Sequence, residues 1–142
     1  MGNGQHYEAH LLKNVKSYDN SSVIYAYDKA PLNTVEMSDS TLQAVKEGMH
    51  NLTTGSLSYY FSNCVVSAGA KTGTAETGIA NTNNGVFVCF APYDDPQIAV
   101  AVVIEKGGSG AALASTAVDI VNSYFSQEEI GAVVIGENTL LK

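Results

Sequence analysis

The fold is decided by residues 85–105, which read Gly85-Val-Phe-Val-Cys-Phe-Ala-Pro-Tyr-Asp-Asp-Pro-Gln-Ile-Ala-Val-Ala-Val-Val-Ile-Glu105. Two apolar runs, Gly85 to Phe90 and Ile98 to Glu105, flank a short turn that contains Asp94-Asp95-Pro96. Because so short a link joins strands only as an antiparallel pair, the pattern predicts two neighbouring antiparallel strands. The second run is apolar on both faces, which predicts a central strand that is covered on both sides.

Residues upstream and downstream of this pair predict a third strand and two helices. Cys64 to Val66 leads into a small-residue run from Ser67 to Ala75, which predicts a strand joined to the pair by a Thr- and Asn-rich link. Over residues 38–54, apolar side chains recur at three- and four-residue spacing behind a serine that can cap the first turn, so this segment predicts a helix. Residues 111–126 carry a similar stripe and predict a second helix after the turn Gly107–Gly110.

The two ends of the chain carry weaker patterns. Residues 5–30 alternate loosely around Asp19-Asn20-Ser21-Ser22, whose side chains favour a turn, and they predict a polar hairpin. The stretch after Gln127 fits either a final strand or a loose end. The expected fold class is therefore α+β: an antiparallel sheet of three core strands plus an N-terminal hairpin, packed with two helices. We expect residues 1–127 to form the domain and residues 128–142 a C-terminal tail.

The composition excludes several classes of protein. Hydrophobic residues make up 45% of the 142 residues and charged residues 15%, which is typical of a folded domain rather than a disordered chain. The formal net charge is −7 and arginine is absent, so neither nucleic acid nor an anionic membrane surface is an expected partner. Cys64 and Cys89 fall in strand-like runs and are expected to be buried free thiols.

One segment, Lys71-Thr72-Gly73-Thr74, combines the features of a peptide-binding strand. The lysine places a lone cation on a surface of small side chains, two threonine hydroxyls lie beside it, and the glycine lets a ligand backbone approach closely. If the strand lies at a sheet edge, its free N–H and C=O groups can also pair with an extended peptide. These features suit a short peptide that ends in a carboxylate. The alternative, left open by the residues alone, is a small-residue strand with one solvated lysine.

Other candidate sites are weaker. Ala70 stands where a phosphate-binding loop requires glycine directly before Lys-Ser/Thr, so no nucleotide site is expected there. His6, Glu8 and His10 have the spacing of one strand face and are residue types that bind zinc, but the polar residues around them favour an exposed strand without metal. His50 is expected to be a surface residue. No metal and no cofactor are therefore predicted.

The order of these segments resembles the transpeptidase domain of penicillin-binding proteins. The run Lys71 to Glu76 resembles the Lys-Thr-Gly-Thr box of that family. Further segments resemble its neighbours in the same order: the helix Leu42 to Met49, the strands Asn84 to Pro92 and Asp95 to Glu105, and the alanine-rich final helix. Together they cover residues 1 to about 126, and the group they resemble is the class B, monofunctional D,D-transpeptidases. The architecture implied is part of a penicillin-binding, serine β-lactamase-like fold.

The resemblance implies roles for the four residues of the box. Members of the family use a serine to attack a D-Ala-D-Ala peptide and form an acyl-enzyme, and the Lys-Thr-Gly strand is the third wall of the cleft. Lys71 would supply positive charge for the carboxylate of the substrate or of a β-lactam, and Thr72 would hydrogen-bond that carboxylate. Gly73 would allow close approach, and the backbone N–H of Thr74 would complete the oxyanion hole.

Two motifs that the family needs are missing from this sequence. No residue three positions before a lysine is serine, and no serine is followed two residues later by asparagine, so neither Ser-x-x-Lys nor Ser-x-Asn occurs. No catalytic set is complete, and the expectation is a C-terminal fragment of a transpeptidase domain that is inactive alone. The alternative is a non-catalytic module that binds a peptide or a partner chain along an exposed sheet edge.

The fragment interpretation also predicts partners and a location. The partners implied for the parent protein are the peptidoglycan stem peptide or a β-lactam, together with the missing N-terminal part of the same domain. Without that part, the strand Ile98 to Glu105 should present an open edge through which a homodimer can form. The parent would lie outside the bacterial cytoplasmic membrane, anchored by a segment beyond these 142 residues, which themselves hold no apolar run long enough to span a bilayer.

Overall fold

The chain divides into two compact units, Met1–Leu42 and Gln43–Lys142. A computed structural model describes residues 4–28, 30–79 and 82–133. The first unit contains four short strands, β1 (Gln5–His6), β2 (Asn14–Lys16), β3 (Val23–Ala26) and β4 (Asn33–Thr34). Strand β2 pairs antiparallel with β3, so the expected hairpin is confirmed at its centre, and β1 pairs with β4 outside it.

The turn of the β2–β3 hairpin is held by hydrogen bonds to Asp19. Its carboxylate accepts from the hydroxyls of Ser17 at 2.6 Å and Ser21 at 2.8 Å, and from the N–H of Ser21 at 3.2 Å. These hydrogen bonds lower the pKa of Asp19 to about 2, because they stabilise the ionised form. Asn20 adopts a φ of 59°, a left-handed conformation that asparagine tolerates. The predicted turn is thus confirmed.

The helices of the described residues are α1 (Asp39–Thr54), α2 (Ser58–Phe61) and α3 (Ala114–Val133). Ser38 caps α1, since its Oγ accepts a hydrogen bond from the N–H of Thr41 at 3.2 Å. The sequence does not predict α2, because one turn of helix is too short to show a periodic pattern. The predicted second helix begins as a 3-10 turn (Gly110–Leu113) and continues as α3.

The C-terminal helix is longer than the sequence predicts. The apolar stripe indicates an end near residue 126, whereas α3 continues to Val133. Residues 128–133, for which a strand or a loose end is expected, are therefore helical. Glu128 and Glu129 interrupt the apolar stripe, so the sequence pattern stops there. Glutamate is a good helix former, so the helix itself continues. The rest of the expected tail, residues 134–142, lies outside the described residues.

The second unit is built on a three-stranded antiparallel sheet. Its strands, β5 (Gly69–Ala75), β6 (Asn84–Ala91) and β7 (Ile98–Ile104), lie in the order β5-β6-β7. The registers pair Lys71 with Val88 and Val88 with Ala101. The three core strands and their antiparallel pairing, predicted from the sequence, are confirmed.

The two faces of this sheet differ in burial. The covered face packs against the helical layer, and the buried residues of the two layers are Ala70, Phe87, Cys89 and Val100 from the strands and Leu57, Leu113, Ala117 and Val121 from the helical side. The other face is covered only at one end, where Phe90 is buried beside α1, and elsewhere it carries exposed side chains, so it is called the open face. Its exposed residues include Lys71, Val88, Ala101 and Val103. The hydrophobic core of the second unit therefore lies between the covered face and the helices.

The position of β7 differs from the prediction. Its residues are all apolar, which predicts a central strand, but β7 lies at an edge of the sheet and β6 at its centre. Ala99, Ala101 and Val103 are exposed, Val103 at 64%. A two-sided apolar pattern indicates that both faces of a strand can be buried, and it does not specify what covers them. The open edge that the fragment interpretation expects is present among the described residues.

Both cysteines are free thiols, but only Cys89 lies in a strand. Cys89 is 3% exposed, as expected for a core thiol. Cys64 is half-buried and lies in the connection between α2 and β5, because that connection only becomes extended strand at Gly69. Burial raises the pKa of both thiols, that of Cys89 to about 11.

Cys89 is expected to resist alkylation in the folded chain. Its raised pKa keeps the thiol protonated until the pH approaches about 11, and the thiolate is the form that reacts. At mildly alkaline pH, iodoacetamide should therefore modify Cys64 faster than Cys89, and urea should bring the two rates together. Mass spectrometry of the two cysteine peptides measures both rates. Equal rates in the folded chain would contradict the burial of Cys89.

Candidate active site

The segment Lys71 to Thr74 lies on β5, at an edge of the sheet. Among the described residues β5 pairs only with β6, from Gly69↔Phe90 to Ala75↔Asn84. Its other edge offers backbone N–H and C=O groups to an extended chain. The edge position that peptide binding requires is therefore present.

Lys71 stands on the open face of the sheet. Side chains alternate along a strand, so Lys71 and Gly73 share this face, and the register places Val88 and Val86 beside them. Lys71 is exposed, and its ammonium donates a hydrogen bond to the backbone carbonyl of Thr72. A cation flanked by valines suits an anionic ligand, because these neighbours offer the cation no carboxylate in competition.

Gly73 leaves space that the packing of the strand does not require. A β-carbon added to Gly73 would lie 3.5 Å from the β-carbon of Val86 and 3.8 Å from its carbonyl oxygen, which are ordinary van der Waals distances. Glycine is therefore not needed for contact with β6. Its effect is to leave room above the strand for an approaching ligand backbone.

The two threonines lie on the other face of β5 from Lys71. Thr72 is half-buried and Thr74 is exposed. The hydroxyl of Thr74 accepts a hydrogen bond from the N–H of Gly110 at 3.4 Å, which connects β5 to the turn before α3. The sequence does not indicate this contact, because the two residues are 36 positions apart and no local pattern joins them.

The beginning of β5 is fixed by side chains of α1. The carbonyl oxygen of Ala68 accepts hydrogen bonds from Nδ1 of His50 at 2.9 Å and from Oγ1 of Thr53 at 2.8 Å. The ring of His50 also stacks on Tyr93, with 4.2 Å between centroids. The expectation that His50 is a surface residue is wrong, because the ring is half-buried and anchors the strand.

A polar cleft lies at the far end of β5. It has a volume of about 480 Å³ and is lined by Thr74, Asn83, Gly108 and Ser109. Hydroxyl, amide and backbone groups in its walls can donate and accept hydrogen bonds. The cleft therefore offers polar groups next to Thr74, at the end of β5.

The remaining sequence candidates are not brought together as a site. Strand β1 contains only Gln5 and His6, so Glu8 and His10 do not share a strand face with His6. The ring of His10 stacks on Tyr27 instead, with 3.5 Å between centroids. The turn Gly107–Gly110 is confirmed as the connection from β7 to the helical segment that follows.

Comparisons with known proteins agree with this geometry. The family model described as the penicillin binding protein transpeptidase domain matches residues 1–124. The chain belongs to this family. It is 38% identical over 109 residues to penicillin-binding protein 2B of Streptococcus pneumoniae serotype 2, which covers 66% of this chain and 15% of that protein. It is 31% identical over 88 residues to the peptidoglycan D,D-transpeptidase MrdA of Escherichia coli K12, which covers 50% of this chain and 14% of that protein.

A solved transpeptidase structure supports the assignment to the penicillin-binding protein family. Penicillin-binding protein 2B from Streptococcus pneumoniae strain R6 superposes with a TM-score of 0.65 at 30% identity, covering 79% of this chain and 20% of that one. The expected α+β penicillin-binding fold is thus confirmed. The chain spans about 15% of the length of the curated penicillin-binding protein 2B relatives. Within the described residues, no helix combines the length and apolarity needed to cross a membrane.

Proposed function

We propose that the whole protein is a D,D-transpeptidase that cross-links peptidoglycan stem peptides, and that β5 forms one wall of its cleft. The observation that carries the proposal is the position of Lys71 and Gly73 on an exposed edge strand in a chain of the transpeptidase family. An edge strand with a cation and an open glycine binds an extended anionic peptide by backbone pairing and charge. The substrate is a stem peptide that ends in D-Ala-D-Ala, and a β-lactam binds against the same strand.

The proposed reaction is acyl transfer through a serine. The serine oxygen attacks the carbonyl carbon of the penultimate D-Ala, its proton passes to a base, and the carbonyl oxygen becomes negatively charged. Collapse of this intermediate breaks the C–N bond, and the terminal D-Ala leaves with the proton from the base. The amino group of a second stem peptide then displaces the serine, which recovers a proton as the new peptide bond forms.

The four residues of the box have separate roles in this reaction. Lys71 pairs with the carboxylate of the terminal D-Ala and contributes to the proton network. This carboxylate lies at the free edge of β5, between its two faces, so that the hydroxyl of Thr72 hydrogen-bonds it from the other face. Gly73 admits the substrate backbone. The backbone N–H of Thr74 donates to the oxyanion. The serine comes from outside residues 1–142, because neither Ser-x-x-Lys nor Ser-x-Asn occurs in this sequence.

The open face of the sheet is the surface against which the serine-bearing part of the domain packs in this proposal. Val88 is 37% exposed and Val103 64%, on the same face as Lys71. Burying such side chains is favourable, and a segment that covers them would bring a serine towards Lys71. The free edge of β7 pairs with further strands of the same domain. For the isolated chain, the alternative occupant of this edge is a second copy, which gives a homodimer.

The proposal also assigns parts of the chain and a location. Residues 1–127 are the C-terminal portion of the transpeptidase domain, and residues 128–142 are a tail. The whole protein works outside the bacterial cytoplasmic membrane, to which a segment beyond these residues anchors it. Its substrate supports this location, because peptidoglycan stem peptides are cross-linked outside that membrane.

Covalent labelling with fluorescent penicillin tests the proposed function. The whole protein, as encoded, should carry the label through denaturing electrophoresis, since the acyl-serine bond survives unfolding. Prior treatment with unlabelled penicillin should remove the signal. Residues 1–142 alone should stay unlabelled, because they hold no serine in the required motif.

Two outcomes would contradict the proposal. The first is a whole protein that takes no label, which would favour the alternative of a non-catalytic module that binds a peptide along β5. The second is a label on residues 1–142 alone, which would place a reactive nucleophile inside this chain. Mass spectrometry of the labelled peptide identifies the modified residue in either case.

A further inference from the structure

Gly110 occupies a position against the sheet where no side chain fits. It is buried at the start of the 3-10 turn. A β-carbon added there would lie 2.2 Å from the carbonyl oxygen of Gly73, 2.4 Å from that of Val86 and 2.9 Å from the backbone nitrogen of Gly73. All three are backbone atoms of paired strands, which cannot rotate away as a side chain would. A side chain at Gly110 must therefore displace either the turn or the strand.

The turn that contains Gly110 is hydrogen-bonded to β5 and to the residue just before β6. The N–H of Gly110 donates to the hydroxyl of Thr74, and the N–H of Gly108 donates to the carbonyl of Asn83 at 3.0 Å. Between them, Ser109 caps the 3-10 turn, since its Oγ accepts from the N–H of Ala111 at 3.3 Å. These contacts make the turn a support behind the Gly73–Thr74 peptide.

We infer that Gly110 is a positioning residue for the backbone N–H of Thr74. The inference rests on the proposed function, in which this N–H donates to the oxyanion. The carbonyl of Gly73 and the N–H of Thr74 belong to one planar peptide unit, so displacing the carbonyl also rotates the N–H. An oxyanion donor acts only at about 2.7–3.1 Å from the developing charge, so a small rotation weakens it. Gly110 keeps this peptide in place by lying directly against it without a side chain.

The test compares acylation kinetics of Gly110→Ala and Gly48→Ala in the whole protein. Fluorescent penicillin gives the dissociation constant Kd of the first complex, the acylation rate constant k2 and the final amount of label. In Gly110→Ala, k2 should fall about 10- to 100-fold, somewhat less than for outright loss of an oxyanion donor, while Kd and the final amount of label stay near those of the unsubstituted protein. Gly48→Ala should leave k2 unchanged, because nothing lies within 4 Å of an added β-carbon on that exposed part of α1.

The outcomes separate this inference from the proposed function. An unsubstituted protein that takes no label overturns the proposed function. A labelled protein whose Gly110→Ala variant keeps the same k2 overturns the inference alone. Less final label at an unchanged k2 also overturns it, because that pattern reports a smaller folded fraction rather than a misplaced donor. If Gly110→Ala does not fold, Ser109→Ala loosens the same turn by removing its cap, and an unchanged k2 in that variant overturns the inference.

Discussion

Replacing Lys71 by alanine is expected to slow the acylation of the whole protein by penicillin about 10²- to 10⁴-fold. The side chain is exposed on the open face, beside Gly73 on the edge strand. Its loss removes the charge partner of the ligand carboxylate and a member of the proposed proton network. Both effects act on the reacting complex, so the second-order rate constant k2/Kd is the quantity to measure.

Two matched variants show whether the effect belongs to position 71. Lys16→Ala removes the same charge from an exposed strand residue of the first unit and should leave k2/Kd unchanged. Lys71→Arg keeps the charge but replaces the compact ammonium with a planar guanidinium group. Its k2/Kd should lie between that of the unsubstituted protein and that of Lys71→Ala. If k2/Kd of Lys71→Ala lies within threefold of that of Lys16→Ala, Lys71 has no role in the proposed mechanism.

Replacing Phe87 by alanine is expected to lower the free energy of unfolding by about 3–5 kcal/mol. The side chain is completely buried on the covered face, and its ring stacks on Phe61 with 6.4 Å between centroids. Truncation leaves a cavity in the layer between sheet and helices that the surrounding backbone cannot fill. Urea unfolding of the chain, followed by circular dichroism, measures the change.

The neighbouring residue provides the control for this prediction. Val88 follows Phe87 in β6 but points to the open face and is 37% exposed. Val88→Ala should therefore lower the free energy of unfolding by less than about 1 kcal/mol. Similar losses for the two substitutions would contradict the assignment of the core to the covered face.

The long elements of the fold are predictable from sequence because their patterns repeat. Helix α1 shows an apolar stripe over four turns, and β6 and β7 are apolar runs joined by a short turn. The single-turn helix α2 shows no such repeat. The edge position of β7 is not predictable either, since the burial of a strand depends on what packs against it and not on its own side chains.

The site is predictable only in part, for a related reason. The segment Lys71 to Thr74 combines a cation, hydroxyls and a glycine within four residues, so it stands out locally. The residues that hold it in place come from distant parts of the chain. His50 and Thr53 reach the carbonyl of Ala68 from 18 and 15 residues away, and Gly110 reaches Thr74 from 36. Such contacts exist only once the chain has folded.

The contrast between two glycines bears on how such a strand can evolve. At Gly73 a new methyl group meets only ordinary contacts with Val86, and alanine is favoured over glycine within a strand. Selection for weaker ligand binding can therefore change this position without a loss of stability. At Gly110 the same methyl group strikes the backbone of two strands, so it changes the acylation rate through the strand and leaves the affinity for the ligand unchanged. Heritable variation in ligand affinity is thus open to Gly73, whereas variation at Gly110 acts on the rate of acylation.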